Sequence, residues 1–221
     1  MKISYETFSE CGPRRKNEDY IAVREMPDHD RYVFVLCDGM GGHELGEVAS
    51  RPVAEHICDY WTKNPKRPNS EKKILDACLE TKIAFDNKSR VEMGTTMAMV
   101  AIEGNKVLLA HCGDSRIYVV RNGKIGYVSV DHVALTPEGW PIITRAFFTG
   151  SNNYIPDIRE IDICSGDMIL ICSDGVYGNG KWSHLEDALR NDASSVNIDT
   201  IKAVAGKNAH DNYSAVLIRI E

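Results

Sequence analysis

Two apolar runs constrain this chain more than any other feature. YVFVLC (Tyr32–Cys37) and MILIC (Met168–Cys172) are rich in strand-forming residues, and each runs into an Asp-Gly pair, the first directly at Asp38-Gly39 and the second after Ser173 at Asp174-Gly175. Each pair therefore sets a carboxylate at the end of a buried strand, next to a glycine that lets another group approach the backbone. The first pair opens DGMGGHELGEVAS, in which a glycine cluster leads into a helical pattern.

Three readings compete for such a loop. Gly41 and Gly46 have the spacing of a P-loop, but Glu47-Val48 stand where that motif needs Lys-Ser/Thr, and a carboxylate there would repel phosphate. The G-x-G-x-x-G spacing of a dinucleotide fingerprint is absent. A single Asp-Gly is most simply a turn. Several carboxylates on converging strands would instead suit a hard divalent cation, which takes oxygen ligands from carboxylates, carbonyls and water. The chain supplies them: Glu18-Asp19 before a strand, Asp114 in HCGDSRIYVV, Asp174 in ICSDGV and Asp211 in HDNYSAVLI.

The surrounding pattern predicts an α+β fold of antiparallel sheets covered by helices, as one domain over 1–221. Strands are expected at Lys2–Ser9, Tyr20–Arg24, Tyr32–Cys37, Thr95–Ile102, Lys106–Cys112, Arg116–Val120, Lys124–Val128, Ile158–Ile163, Asp167–Cys172 and Ser214–Ile220. Ala49, Val53, Ile57 and Trp61 form one helical stripe, and Pro52, tolerated only in a first turn, starts that helix near Glu47 or Val48. Ser70 caps a second helix with Leu75, Cys78, Leu79 and Phe85 inward. Asn122-Gly123 is a hairpin turn, Ser183-His184-Leu185-Glu186 a capping box, and Asp199–Asn208 a last helix. Residues 131–156 show little periodicity and read as an irregular excursion.

Composition excludes some classes. The 26 basic and 32 acidic side chains leave a net charge of −6 with no basic stripe, which argues against nucleic acid as a partner. No apolar run approaches the ~20 residues that span a bilayer. The start MKISYETFSE lacks the apolar core of a signal peptide. Seven cysteines, an odd number without a Cys-x-x-Cys, fit a reducing cytoplasm.

Eight stretches in order carry a family resemblance: GPRRKNEDY (Gly12–Tyr20), VLCDGMGGHELGEVAS (Val35–Ser50), MGTTMAMVAI (Met93–Ile102), LAHCGDSRIYVVRNGKI (Leu109–Ile125), VDH (Val130–His132), ITRAF (Ile143–Phe147), ICSDGVYG (Ile171–Gly178) and DNYSAVLI (Asp211–Ile218). Together they resemble the metal-dependent serine/threonine protein phosphatases of type 2C, in their bacterial form. The resemblance implies a four-layer αββα sandwich of two packed antiparallel sheets, with 131–156 as a shortened flap. It implies two divalent cations, Mn²⁺ or Mg²⁺, and a third, weaker site. Asp38 would bridge the pair and Gly39 offer its carbonyl, while Asp174 and Asp211 complete one ion. Glu18 would hold the other, with Asp19 beside it; Asp114 matches the third site and Arg14 the phosphate-binding arginine. Met40 stands where eukaryotic relatives place a histidine acid, so water would protonate the leaving group. The implied partner is a phosphorylated protein made by an opposing serine/threonine kinase, and the implied state a monomer.

That chemistry needs such a set. Phosphate-monoester hydrolysis is accelerated up to ~10²¹-fold by enzymes. Two cations answer the charge of the dianionic ester and make hydroxide available near neutral pH. Arginine's planar fork suits phosphate. A cysteine phosphatase would need Cys-x₅-Arg, and no cysteine has arginine six residues on. An aspartyl-phosphate enzyme would need D-x-D at a strand's end, but Asp28-His29-Asp30 precedes its strand. A catalytically silent metal-binding module on the same fold, or an enzyme for small phosphorylated metabolites, remains open. His43, His111 and His132 are left without a metal role.

Overall fold

The computed structural model describes residues 1–41, 45–88, 91–178, 185, 189, 196–207 and 209–221. His43 and the capping pair Ser183 and Glu186 lie outside them. Chain order runs β1 (Ile3–Glu10), β2 (Asp19–Met26), β3 (Arg31–Gly41), α1 (Gly46–Lys63), α2 (Glu71–Lys88), β4 (Met93–Thr95), β5 (Met97–Glu103), β6 (Lys106–Cys112), β7 (Arg116–Arg121) and β8 (Lys124–Val128). It continues with β9 (Val133–Leu135), β10 (Pro141–Ile143), β11 (Phe147–Phe148), β12 (Asp157–Asp162), β13 (Met168–Cys172), α3 (Asp174–Tyr177), α4 (Ile198–Gly206) and β14 (Tyr213–Ile220).

Two antiparallel sheets face each other. One has the order β1-β14-β13-β7-β8; the other has β11-β4-β3-β5-β6-β12, with β2 also paired to β3. The two founding runs explain the layering. Phe34 and Leu36 of β3 meet Ile169 and Ile171 of β13 between the sheets. The alternate residues Val33, Val35 and Cys37 pack under α1 and α2, while Met168, Leu170 and Cys172 pack under α4. A strand covered on both faces has no polar alternation to keep, so it reads as an unbroken apolar run. This is the αββα sandwich.

Local details depart from expectation. Helix α1 starts at Gly46, which leaves Pro52 in its second turn. Pro52 has no N–H for the Val48 carbonyl, and Val48 sits on the exposed side, where solvent can serve that acceptor. On α2 the inward stripe is Ile74, Ala77, Cys78 and Phe85, whereas Leu79 is exposed. Residues 131–156 are not irregular throughout. They hold the β9–β10 hairpin, and β11, which pairs with β4. The Asn122-Gly123 turn has positive φ at both residues, 52° and 70°, as a tight hairpin between right-twisted strands requires.

Register gathers the acids. Cys172 at the end of β13 pairs with Arg116 at the start of β7 and with Ala215 near the start of β14. Antiparallel neighbours thus bring Asp174, Asp114 and Asp211 to one end of their sheet. On the facing sheet Asp19 pairs directly with Asp38.

Candidate metal centre

Five aspartates from both sheets meet at that end. The carboxyl groups of Asp38 and Asp174 lie close enough for each to act on the other's ionisation. Asp38 is pushed well above the ordinary carboxylate range, first by burial and then by the charges of Asp19, Asp174, Asp114 and Asp211. Burial raises Asp19 to about 7 against the opposing hydrogen bonds of Ser173 and Ser214. Asp114 also rises to about 7, through burial and the charge of Asp174. Asp174 is raised by burial and by Asp211. Asp19 Oδ2 accepts from Ser173 Oγ at 2.7 Å, but its buried Oδ1 has no partner among the described residues.

The backbone around the cluster is braced. Asp38 N donates to Thr96 Oγ1 at 2.9 Å, and Asp38 O accepts from Thr95 Oγ1 and Thr96 N. Thr96 Oγ1 lies 2.7 Å from Ser115 Oγ, which ties the Asp38 strand to the Asp114 loop. Gly39 is required by space, because a Cβ there would sit 2.2 Å from Gly46 O. Gly39 N donates to Glu18 O, and Glu18 Oε1 accepts from Gly46 N at 2.8 Å, so Glu18 sits beside Gly39 and caps α1 from another element.

Arg14 stands at the rim. Its Nη2 donates to Asp211 Oδ2 at 2.6 Å and its Nε to His210 O at 3.3 Å. With Asp114, Asp131, Asp174, Tyr177 and Asp211 it lines an open cleft of about 360 Å³, whose wall includes Val133 and Pro141. The structure therefore brings Arg14, Glu18, Asp19, Asp38, Gly39, Asp114, Asp174 and Asp211 to one place.

Two supporting residues escaped the sequence reading. Buried Asn212 accepts from Glu18 N at 2.8 Å and donates to Cys11 O and Lys16 O, both at 2.7 Å, and so holds the Arg14–Glu18 segment against Asp211. Ser173 is the donor to Asp19. Both are sequence neighbours of predicted ligands, which is the only signal that marks them. His111 and His132 stack 4.6 Å apart, close to Asp157. Gly113 N donates to His132 Nδ1, so the ring proton is on Nε2, where it is given to Asp157 Oδ2 at 3.0 Å. That tautomer leaves no lone pair on Nε2 for a cation, and the pair is structural.

A four-layer sandwich whose sheet ends gather aspartates beside one arginine defines a class, the metal-dependent phosphatases. The chain belongs to the protein phosphatase 2C family, whose sequence model matches residues 14–216. It is 28% identical to the protein phosphatase PhpP of Streptococcus pneumoniae over 223 residues, covering 87% of this chain and 85% of that one. The crystal structure of the Mycobacterium tuberculosis serine/threonine phosphatase PstP/Ppp is similar with a TM-score of 0.83 and 26% identity, over 99% of each chain. A second PstP structure, the catalytic domain in complex with two manganese ions, has a TM-score of 0.77 and 25% identity, over 99% of each chain.

Proposed function

We propose that this chain hydrolyses phosphoserine and phosphothreonine in proteins at the aspartate cluster, with Mn²⁺ or Mg²⁺ as cofactor. Asp38 would serve both cations, with Asp174 and Asp211 completing one and Glu18 holding the other, the Gly39 carbonyl as a further ligand and Asp19 alongside. Asp114 would serve a third, weaker site. The observation that carries the reading is the cluster itself. Carboxylates this close resist ionisation together, and the buried Asp19 Oδ1, without a hydrogen-bond partner among the described residues, is an acceptor that a cation would satisfy. A donor set of oxygens alone fits a hard divalent cation. The two manganese ions in the related PstP domain support the same assignment.

When bound, such a cation pair supplies Lewis acidity, which acidifies water and offsets phosphate charge. The chain's own residues do the rest. Two of Arg14's five N–H groups are spent on Asp211 and His210, and the others can grip phosphate oxygens at the cleft mouth. Asp211 holds Arg14 in place for that grip. Asn212 fixes the Arg14–Glu18 segment, and Thr95, Thr96 and Ser115 fix the strand ends.

In this reading 1–221 is one catalytic domain with a reduced flap at 131–156, acting as a monomer opposite a serine/threonine kinase. Among the described residues no helix is long and apolar enough to cross a membrane. The seven cysteines are all free, which supports a cytoplasmic setting. The test is hydrolysis of p-nitrophenyl phosphate and of a phosphothreonine peptide, with Mn²⁺ and with EDTA. Both should be cleaved with Mn²⁺ and neither with EDTA. Folded protein that cleaves neither in saturating Mn²⁺ would show the cluster to be non-catalytic.

A further inference from the structure

Asp114 and Tyr177 both line the open cleft, and a bond joins them: Tyr177 Oη donates to Asp114 O at 2.7 Å. Tyr177 closes α3, the four-residue helix that Asp174 opens. One short element therefore carries a candidate ligand at its start and the donor to a second candidate ligand at its end. That element is held in place. A Cβ on Gly175 would sit 1.9 Å from Asn212 O, Val176 is buried, and Gly178 N donates to Asp174 O at 2.6 Å. The Tyr177 ring is held as well. The Arg116 guanidinium lies 4.1 Å from its centroid, and Asp131 grips that guanidinium at Nε and Nη2, both at 2.6 Å.

Asp114 sits in a loop that is pinned on either side of it. Gly113 has a φ of 115°, and a Cβ there would lie 2.6 Å from the Thr96 side chain, so the position requires glycine. Gly113 N donates to His132 Nδ1, and Gly113 O accepts from His132 N. On the other side Ser115 Oγ meets Thr96 Oγ1 at 2.7 Å. These contacts place the neighbours of the aspartate. The Tyr177 hydroxyl acts on the aspartate's own carbonyl. A peptide unit is planar, so a fixed oxygen fixes the ψ torsion of Asp114 and the direction in which its side chain leaves the backbone.

We propose that Tyr177 is a positioning residue for the weak third cation site: its hydroxyl sets Asp114 relative to Asp174, and the ion served by Asp114 depends on that bond. The proposal rests on the phosphatase reading, in which Asp114 serves such a site. The tighter pair should be indifferent to the hydroxyl. Asp38 is braced by Thr95 and Thr96, Glu18 by Gly46 and Asn212, and Gly175 is seated on Asn212 by its own packing. Hydrogen bonds that orient a ligand change metal affinity by about 10–100-fold, and a bond to the ligand's backbone belongs at the lower end of that range.

The test is Mn²⁺ binding without substrate, counted by electron paramagnetic resonance of the free ion, on wild type, Tyr177→Phe, Asp114→Asn and the double variant. Phenylalanine keeps the ring beside Arg116, and urea unfolding in EDTA checks the fold. Wild type should bind two ions tightly and a third more weakly. Tyr177→Phe should keep the tight ions within about twofold of wild type and weaken the third about tenfold. On top of Asp114→Asn the same change should alter binding no further. A third ion of unchanged affinity in Tyr177→Phe would overturn the proposal. Loss of the tight pair would overturn it too, since the hydroxyl would then be serving Asp174, and so would failure of Tyr177→Phe to fold, which would make the bond a structural tie. A wild type that binds two ions and no third would remove the site the proposal needs. A wild type that binds none would instead strike the phosphatase reading beneath it.

Discussion

Stripped of cations, the protein should lose stability as pH rises through neutrality, and Asp19 shows by how much. This carboxyl is 5% exposed, and its pKa is about 7 in the fold against an ordinary 3.8. A carboxyl whose folded pKa lies above its unfolded one binds more protons folded than unfolded, so its contribution worsens as pH climbs from the lower value to the higher. Above pH 7 the gap costs about 4 kcal/mol at 1.36 kcal/mol per pH unit. Between pH 8 and pH 6 roughly a third of that returns, or a few degrees in Tm for a domain of this size. The assay is thermal unfolding in EDTA at pH 6, 7 and 8, beside the same series in Mn²⁺. Buried His111, held below its usual value, acts in the opposite sense around pH 6.5. The comparison of wild type with Asp19→Asn, both in EDTA, isolates the aspartate. Ser173 can still donate to the amide oxygen, so the variant should melt higher than wild type at pH 8, gain less on going to pH 6, and be stabilised less by Mn²⁺. A metal-free Asp19→Asn that melts lower than wild type at pH 8, with the same pH slope, would refute the picture of carboxylates held together at a cost.

Two substitutions separate substrate binding from scaffolding. Arg14→Ala removes hydrogen bonds to a charged group worth about 1.5–3 kcal/mol, so kcat/KM for a phosphopeptide should fall roughly ten- to hundredfold, mainly through KM. The stabilisation by Mn²⁺ should persist, and its loss would mean that Arg14 holds the cluster rather than the phosphate. Asn212→Ala leaves three backbone partners, Glu18 N, Cys11 O and Lys16 O, without its side chain and should cost about 1–3 kcal/mol in urea unfolding; a change within about 0.5 kcal/mol would show water taking its place.

Much of this was legible along the chain. YVFVLC and MILIC announce strands buried on both faces because both sets of alternate side chains are apolar. Asn122-Gly123 announces its hairpin because few other pairs accept positive φ twice. Elements too short for a period stayed hidden, as with the two-residue β11. Leu79 was misplaced because the inward face of α2 also carries the buried, hydrogen-bonded Lys73 and Lys82, which pattern counts as polar. The start of α1 was missed because its cap is Glu18, an acceptor from a distant part of the chain.

By itself the order of residues determined what stands at each strand end: a carboxylate and a glycine after an apolar run, acids before β2, β7 and β14, and an arginine pair near the first of them. It could do so because side-chain alternation and turn chemistry are local. Only the tertiary structure decided that these ends coincide, since the Cys172 register to Arg116 and Ala215, and the pairing of Asp19 with Asp38, join segments far apart in the chain. The same is true of the raised carboxyl pKa values, which come from burial and neighbouring charge.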